Sequence, residues 1–394
     1  MKKVRISINI LYYFSFIMIV FLNYIGHSKI SELYPSLLLH RNKLILISVL
    51  LLSIKIICGE IKKRNILIMC SLIILITIIY FNTNNIFIYL NFLALILLIF
   101  GLRGIQLRNI IKIWIIEIGI LMFFNQILFL LGYLPDLLIV RSGQERSQVG
   151  YIFTSLGANY AFQFTLIYLL YREINVKYIE LILLFLLNYY FYFQTDTKSA
   201  YYFSLLVLLL FIVIKNIKIS YKVSNLINKY ILLIGIMIPS YFSYFYDPNK
   251  DMYNEINQLL TGRLYLGNLA LNKNGVSLFG QPQDWVLNDK VTVDNPYFYV
   301  DSSFLTIAIY YGVILLSIIV LGYYILGNHK YIKGNIVYTV IFSVLVLHAT
   351  FDPQFLEIVY NPMLLYLGLL FHDNIVGDWF EKGGNYDINS CSNL

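Results

Sequence analysis

Three arginines and a few carboxylates stand where a chain this apolar has little reason to keep charge. Arg263 follows Leu260-Thr261-Gly262 in a polar stretch, and that stretch closes on Tyr299-Val300-Asp301-Ser302-Ser303-Phe304. Arg141 and Arg146 flank Glu145, and His348 stands one helical turn before Asp352 in Leu347-His348-Ala349-Thr350-Phe351-Asp352-Pro353. A guanidinium is a rigid fork of donors that matches phosphate oxygens bidentately. A carboxylate or imidazole whose pKa is moved towards neutrality can take a proton from a hydroxyl. Together these residue types suit transfer chemistry on a phosphorylated substrate.

Each also has a plainer reading. Arg263 can be solvated at the lipid headgroups, and Arg141 and Arg146 can form a surface pair with Glu145 of little energetic value. Asp301 can cap the following helix, as Ser302 or Ser303 can equally do. Asp352 before Pro353 can mark a helix end, and His348 can be a satisfied interfacial residue. Glu117 and Glu180 lie within or beside apolar runs and are candidates because charge there is costly. Glu180 can simply lie at the interface.

The elements that must position these residues are membrane helices. Hydrophobic residues make up 59% of the 394, charged residues only 13%, and mean hydropathy is +0.72. A soluble domain carries about 25% charged residues. A polytopic, all-α membrane protein follows, and the ruler of about 20 apolar residues per crossing gives about twelve spans. They lie at Ile6–Tyr24, Leu38–Cys58, Asn65–Tyr80, Ile86–Leu102, Ile110–Tyr133, Ser155–Tyr171, Tyr178–Phe193, Tyr201–Ile214, Tyr230–Phe245, Phe304–Leu326, Asn335–Leu347 and Leu356–Phe371. Residues 1–246 thus hold the first nine helices and 247–303 one large loop. Residues 304–372 hold the last three helices, and 373–394 form a tail.

The net charge of +8 does not signal nucleic acid, because the Lys and Arg residues sit in short connections rather than on a polar domain. Placing Lys2, Lys3 and Arg5 in the cytoplasm puts every Lys/Arg-rich connection there by strict alternation, which the positive-inside rule demands. These are Lys62-Lys63-Arg64, Arg103/Arg108/Lys112, Arg172/Lys177, Lys215/Lys218/Lys222/Lys229 and Lys330/Lys333. The opposite side receives His27–Ser36, Phe81–Asn85, Pro135–Gly150, Gln194–Ser199, the long loop and Thr350–Phe355. Both termini are then cytoplasmic. Arg141, Arg146, Lys198, Arg263 and His348 become the outward exceptions, each with a purpose other than topology.

Within the loop, Met252, Ile256, Leu259 and Leu260 pattern a short amphipathic helix at the membrane surface. Thr261 is placed to cap a second segment running from Gly262-Arg263-Leu264 to Leu271, which would set Arg263 beside free helix N–H groups, a positive focus for phosphate. The cysteines Cys58, Cys70 and Cys391 avoid the loop, so neither a disulfide framework nor a thiolate metal site is expected. The sequence contains no Walker glycine loop, HExxH or CxxC. No metal and no cofactor is expected.

The arrangement resembles the Wzy-type polysaccharide repeat-unit polymerases of Gram-positive capsule and exopolysaccharide loci. The resemblance is carried by the topology and by three stretches. The first is Leu260-Thr261-Gly262-Arg263-Leu264 with Leu278-Phe279-Gly280-Gln281. The second is Val300-Asp301-Ser302-Ser303-Phe304 leading to Tyr311-Gly312, and the third Phe351-Asp352-Pro353-Gln354-Phe355 with Asn361-Pro362. Arg141–Gly150 is similar to the family's earlier arginine loop; Ser155-Leu156-Gly157-Ala158-Asn159 is a looser match to the Asn-rich segment that follows it.

The resemblance implies an O-antigen polymerase/ligase type of fold in the bacterial cytoplasmic membrane. It implies a glycosyltransferase whose donor and acceptor are undecaprenyl-pyrophosphate-linked oligosaccharides, joined at the outer face. Arg141, Arg146 and Arg263 would clamp pyrophosphate or saccharide, and Asp301, Asp352 or His348 would be the base. Trp285, Tyr297, Phe298 and Tyr299 would stack on sugars. Partners would be the lipid-linked substrate, membrane lipid, and flippase and chain-length regulator proteins. An O-antigen-ligase-like transferase or a lipid-linked oligosaccharide flippase are the alternatives.

Overall fold

In the computed structural model the described residues are 2–59, 61–141, 144–217, 220–286, 292, 296–372 and 375. The chain is a helical bundle. Helices α1 (Lys2–His27), α2 (Ile30–Leu33), α3 (Pro35–Ile57), α4 (Lys63–Thr83), α5 (Ile86–Phe100) and α6 (Leu107–Leu130) lead to a small hairpin, β1 (Ile139–Arg141) with β2 (Gln144–Arg146). Next come α7 (Thr154–Arg172), α8 (Tyr178–Thr195), α9 (Lys198–Asn216) and α10 (Tyr221–Tyr244). The long loop carries α11 (Asp251–Leu259) and α12 (Arg263–Asn274). The chain re-enters the bundle through α13 (Ser303–Thr306), a π-helical turn Ile307–Tyr311 and α14 (Val313–Gly327), then α15 (Ile336–Ala349) and the short α16 (Met363–Tyr366).

Among the described residues six helices are long and apolar enough to cross a membrane, within Ile8–His27, Pro35–Ile57, Lys63–Thr83, Leu107–Leu130, Lys198–Asn216 and Tyr221–Tyr244. Ile86–Phe100, Val313–Gly327 and Ile336–Ala349 are shorter apolar helices. Large residues such as Ile57, Leu67, Phe81, Phe123 and Phe193 stand fully outward on these helices, an apolar exterior suited to lipid and not to water.

The connections sort into two groups. At one end Ser28 bridges Tyr151, the Ser147 amide donates to the Gln194 carbonyl (3.0 Å), Asn82 Nδ2 to the Phe279 carbonyl (3.1 Å), and the Ser303 amide to the Asp352 carbonyl (3.2 Å). At the other end Lys55 binds the Gly101 and Arg103 carbonyls, Asn65 that of Phe371, Lys215 that of Val176, and Asn228 that of Ile332. The Lys/Arg-poor connections meet one another, and so do the Lys/Arg-rich ones.

Two expected spans are corrected. Phe304–Leu326 is interrupted at Gly312 (φ 102°), which parts the π-helical turn Ile307–Tyr311 from α14. Leu356–Phe371 is not a continuous helix: Thr350–Pro362 runs as turns, followed by four α-helical residues and the 3-10 turn Leu367–Leu370. Pro353 and Pro362 each remove a backbone donor, and Asn361 holds the bend by donating to the Phe355 carbonyl (2.7 Å) and accepting from the Met363 amide (2.9 Å). Irregular backbone is tolerated here because protein encloses it; Phe355, Ile358, Val359, Tyr360 and Asn361 are buried. The expected tail, 373–394, lies outside the described residues apart from Ile375.

The long loop is docked rather than free. Gly267 of α12 lies so close to α10 that a Cβ there would come within 2.4 Å of Ser243 Oγ, and Asn268 Nδ2 donates to the Ser243 carbonyl (2.8 Å). Farther on, Ser277 Oγ donates to the Ile309 carbonyl (2.8 Å) and the Val313 amide to the Ser277 carbonyl (2.9 Å). Gly312, at φ 102°, packs where a Cβ would stand 2.3 Å from the Leu278 carbonyl oxygen, so no side chain fits. The Leu278–Gln281 and Tyr311-Gly312 stretches singled out in the sequence are therefore the two halves of one joint.

Candidate active site

The turn before Arg263 fixes where its side chain starts. Thr261 and Gly262 both have positive φ (55° and 88°), and Gly262, not Thr261, occupies the cap position of α12. Asn257, from the preceding helix, accepts the Tyr265 amide on its side chain (3.0 Å) and the Gly262 amide on its carbonyl (2.8 Å). The Arg263 and Leu266 amides also find backbone acceptors. The helix terminus is thus largely consumed by α11, and the expected cradle of free N–H groups is not there. What remains for an anion is the guanidinium.

Arg263 Nε donates to Asp301 Oδ2 (3.1 Å), with both side chains about one quarter exposed (27% and 25%). Asp301 does not cap the following helix; Ser302 holds that position, without a side-chain bond. The pair borders a cavity of about 100 Å³ that reaches Ser302, Thr350 and Phe351 at the start of α13 and the end of α15. Arg263 also acts electrostatically on His348 and Asp352. Four of the predicted residues, Arg263, Asp301, His348 and Asp352, are therefore gathered from three distant parts of the chain.

Asp352 is buried beneath them. Asn159 Nδ2 of α7 donates to its Oδ2 (2.8 Å), the Gln354 amide donates to its Oδ1 (3.1 Å), and Ser303 binds its backbone carbonyl through both amide and hydroxyl. Burial pushes its carboxyl up to about 6, against the hydrogen bonds from Asn159 and Gln354 and the charge of Arg263. A carboxylate poised there is charged at neutral pH yet basic enough to accept a proton. His348 is buried between Phe162 (4.6 Å) and Phe203 (5.6 Å), and its Nε2 has no hydrogen-bond partner. The expected His348–Asp352 coupling is not a direct hydrogen bond.

The remaining predicted residues fall elsewhere. The Arg146 guanidinium is spent on the α8–α9 connection, donating from Nε to the Thr195 carbonyl (2.6 Å) and from Nη2 to the Asp196 carbonyl (3.2 Å). Arg141 ends β1, and its side chain lies outside the described residues. Trp285 packs edge-on against Tyr299 (4.6 Å) and Tyr310 (5.6 Å), forming a small loop core with Phe298 and Val300. Tyr297 is exposed. Glu180 sits at the opposite end, paired with Arg172 (3.1 Å) and accepting the Lys177 amide (2.7 Å). Glu117 lies apart in α6, with both oxygens buried.

Sequence reasoning missed two charged residues near Asp352. Glu357 is exposed to solvent, although Asp352, Arg41, Tyr160, Tyr299, Tyr311 and Tyr360 are all within its electrostatic reach. Arg41, in the second turn of α3, stands in His40-Arg41-Asn42-Lys43 at the start of the expected span Leu38–Cys58; the rule that flagged Glu117 would have flagged it too. The chain matches no protein-family model, no curated protein and no solved structure.

Proposed function

We propose that the chain is a polymerase that joins undecaprenyl-pyrophosphate-linked oligosaccharide repeat units at the outer face of the bacterial cytoplasmic membrane. The observation that carries this reading is the convergence of Arg263, Asp301, His348 and Asp352 at the end of the bundle where the Lys/Arg-poor connections meet. That end is the outer one if the positive-inside rule sets the orientation, with both termini cytoplasmic and twelve crossings, the last completed by the broken segment after Asp352. The fit to the motif resemblance is independent support, since the quoted stretches pack against one another.

The chemistry asks little of the protein beyond placed charge. The acceptor hydroxyl oxygen attacks the anomeric carbon of the donor, the bond to the pyrophosphate oxygen breaks, and its electron pair leaves with the pyrophosphate. Arg263 stabilises the negative charge that develops there, and Asp301 holds its fork in place. Asp352 takes the hydroxyl proton, its basicity set by burial and its orientation by Asn159. Tyr297, which is exposed, offers a face to a sugar ring. Flippase and chain-length regulator proteins would deliver the substrate and limit the product. Neither metal nor cofactor enters this scheme.

A gel of lipid-linked saccharides from cells lacking the gene tests the reading. Single repeat units accumulating on the outer face support a polymerase. Long chains stranded on lipid would identify an O-antigen-ligase-like transferase instead, and units trapped on the inner face a flippase.

A further inference from the structure

A second arginine, Arg41, is left unused by the scheme above. Arg41 of α3 reaches across to α1, where Nη2 donates to Asn23 Oδ1 (2.8 Å). Its guanidinium lies over the Phe87 ring at 4.1 Å and against Gly26, where a Cβ would come within 2.6 Å of Nη1. Its Nε is buried with no hydrogen-bond partner. An arginine has five donors, and among the described residues this one uses a single hydrogen bond and makes no ion pair. Leaving buried donors of a charged group unmet is costly, and packing against Phe87 and Gly26 keeps the side chain from swinging to solvent for relief.

The surroundings say what would meet them. Glu357, which is exposed, is an electrostatic neighbour of Arg41 but not within ion-pair distance. Other groups near the two are the phenols Tyr160, Tyr360, Tyr299 and Tyr311, together with His27, whose Nδ1 shares a hydrogen bond with the hydroxyls of Tyr160 (2.9 Å) and Tyr360 (3.1 Å). A pre-oriented guanidinium fork, a rim of aromatic hydroxyls and an accessible carboxylate suit a phosphate ester carrying a hydroxyl-rich group.

We propose that Arg41 anchors a second diphosphate, with Glu357 facing the group attached to it. The site rests on the polymerase reading only for the identity of its ligand. In that reading Arg263 holds the donor diphosphate and Arg41 the diphosphate of the acceptor, so the two lipid-linked substrates are held by separate anchors.

Purified protein in lipid nanodiscs, titrated with inorganic pyrophosphate and with a short-chain polyprenyl diphosphate, tests this. The intact protein is expected to bind at two sites. Arg41→Ala and Arg263→Ala should each weaken a different one, by about 10- to 100-fold for the loss of charge-assisted bonds. Tighter binding of the prenyl compound at the Arg41 site makes the ligand a lipid headgroup; equal binding makes it the free anion. Because Arg41 also braces α1 against α3, Glu357→Gln is the second variant. It should tighten binding at the Arg41 site by removing a neighbouring carboxylate. A purely bracing arginine predicts no such gain. The proposal is overturned if Arg41→Ala retains both sites in a folded protein, or if Glu357→Gln leaves that site unchanged. Two sites without polymer in the cellular assay would sink the polymerase reading and leave the diphosphate site standing.

Discussion

Two loops of this protein carry arginines towards the same end of the bundle, and they use them oppositely. Arg146, on the hairpin before α7, gives its Nε and Nη2 to backbone carbonyls of the α8–α9 connection. Arg263, at the start of α12, gives its Nε to a carboxylate at the mouth of a cavity, with His348 and Asp352 within reach of its charge. Backbone carbonyls carry no net charge, so Arg146 ties two connections together. A carboxylate partner orients Arg263 but neutralises it only in part, because the pair is partly hydrated and a multiply charged phosphate can compete for the remaining donors. The partner of an arginine, more than its presence in a loop, tells a strut from a clamp.

The sharpest way to break this contrast is Arg263→Ala. Removing one stabiliser of developing charge costs about 10²–10³ in rate, so polymer should vanish while the protein stays folded in the membrane. The check is chain length on a lipid-linked saccharide gel beside a membrane-fraction blot; normal chains from the variant would end the assignment.

Asp352→Asn comes next. As the base, Asp352 must be deprotonated, so wild-type activity should climb about tenfold per pH unit below 6 and level off above it. The asparagine variant should lose about 10²-fold or more and show no such rise. The stability effect has the opposite sign. A carboxyl raised from its usual value to about 6 favours the folded state when protonated, and that advantage fades as pH rises through 6. The variant should therefore melt higher than wild type above pH 6. A fall in both activity and stability at all pH values would make Asp352 a structural residue only.

Arg146→Ala inverts the pattern expected for Arg263. It leaves the Thr195 and Asp196 carbonyls short of a donor in a partly buried site, a loss of about 1–3 kcal/mol. Thermal stability in detergent should drop measurably, and activity per folded molecule should stay within a few-fold. Loss of activity without loss of stability would move Arg146 to the clamp side of the comparison.

How much of this was written in the chain can be seen from the same residues. The grouping of the connections at two ends follows from where Lys and Arg sit, because charge placement acts locally in sequence. Arg263 and His348 were legible as outward basic exceptions and Asp301 and Asp352 as carboxylates at helix boundaries, though not as a contact map. The fate of Arg146 was not legible, since its partners are main-chain atoms that any sequence supplies. Nor was the broken segment after Asp352, where a run of apolar residues from Leu356 to Phe371 reads as a span. Enclosure by protein on every side looks the same in composition as enclosure by lipid. Arg41 was passed over because, beside His40, Asn42 and Lys43, it reads as the polar end of the expected span Leu38–Cys58.

The smallest effect tests whether the clamp is aimed by its support. Gly267 lets α12 lie against α10, and α12 begins with Arg263. A methyl group at that position meets Ser243 Oγ at 2.4 Å, Ser243 Cβ at 3.0 Å and Leu305 Cδ1 at 3.1 Å. Gly267→Ala must therefore push α12 outward by a fraction of an ångström, against a helix-propensity gain of about 1 kcal/mol. A displacement that small leaves the fold intact but moves the guanidinium relative to Asp301 and the cavity, so activity should fall a few-fold with little change in melting temperature. Ser243→Ala removes the closest obstructing atom. The double variant should recover part of the loss, a non-additivity measurable as a coupling in a double-mutant cycle on initial polymerisation rates. If the two changes add independently, the docking of α12 on α10 does not aim Arg263, and the difference between clamp and strut lies in the partner atoms alone.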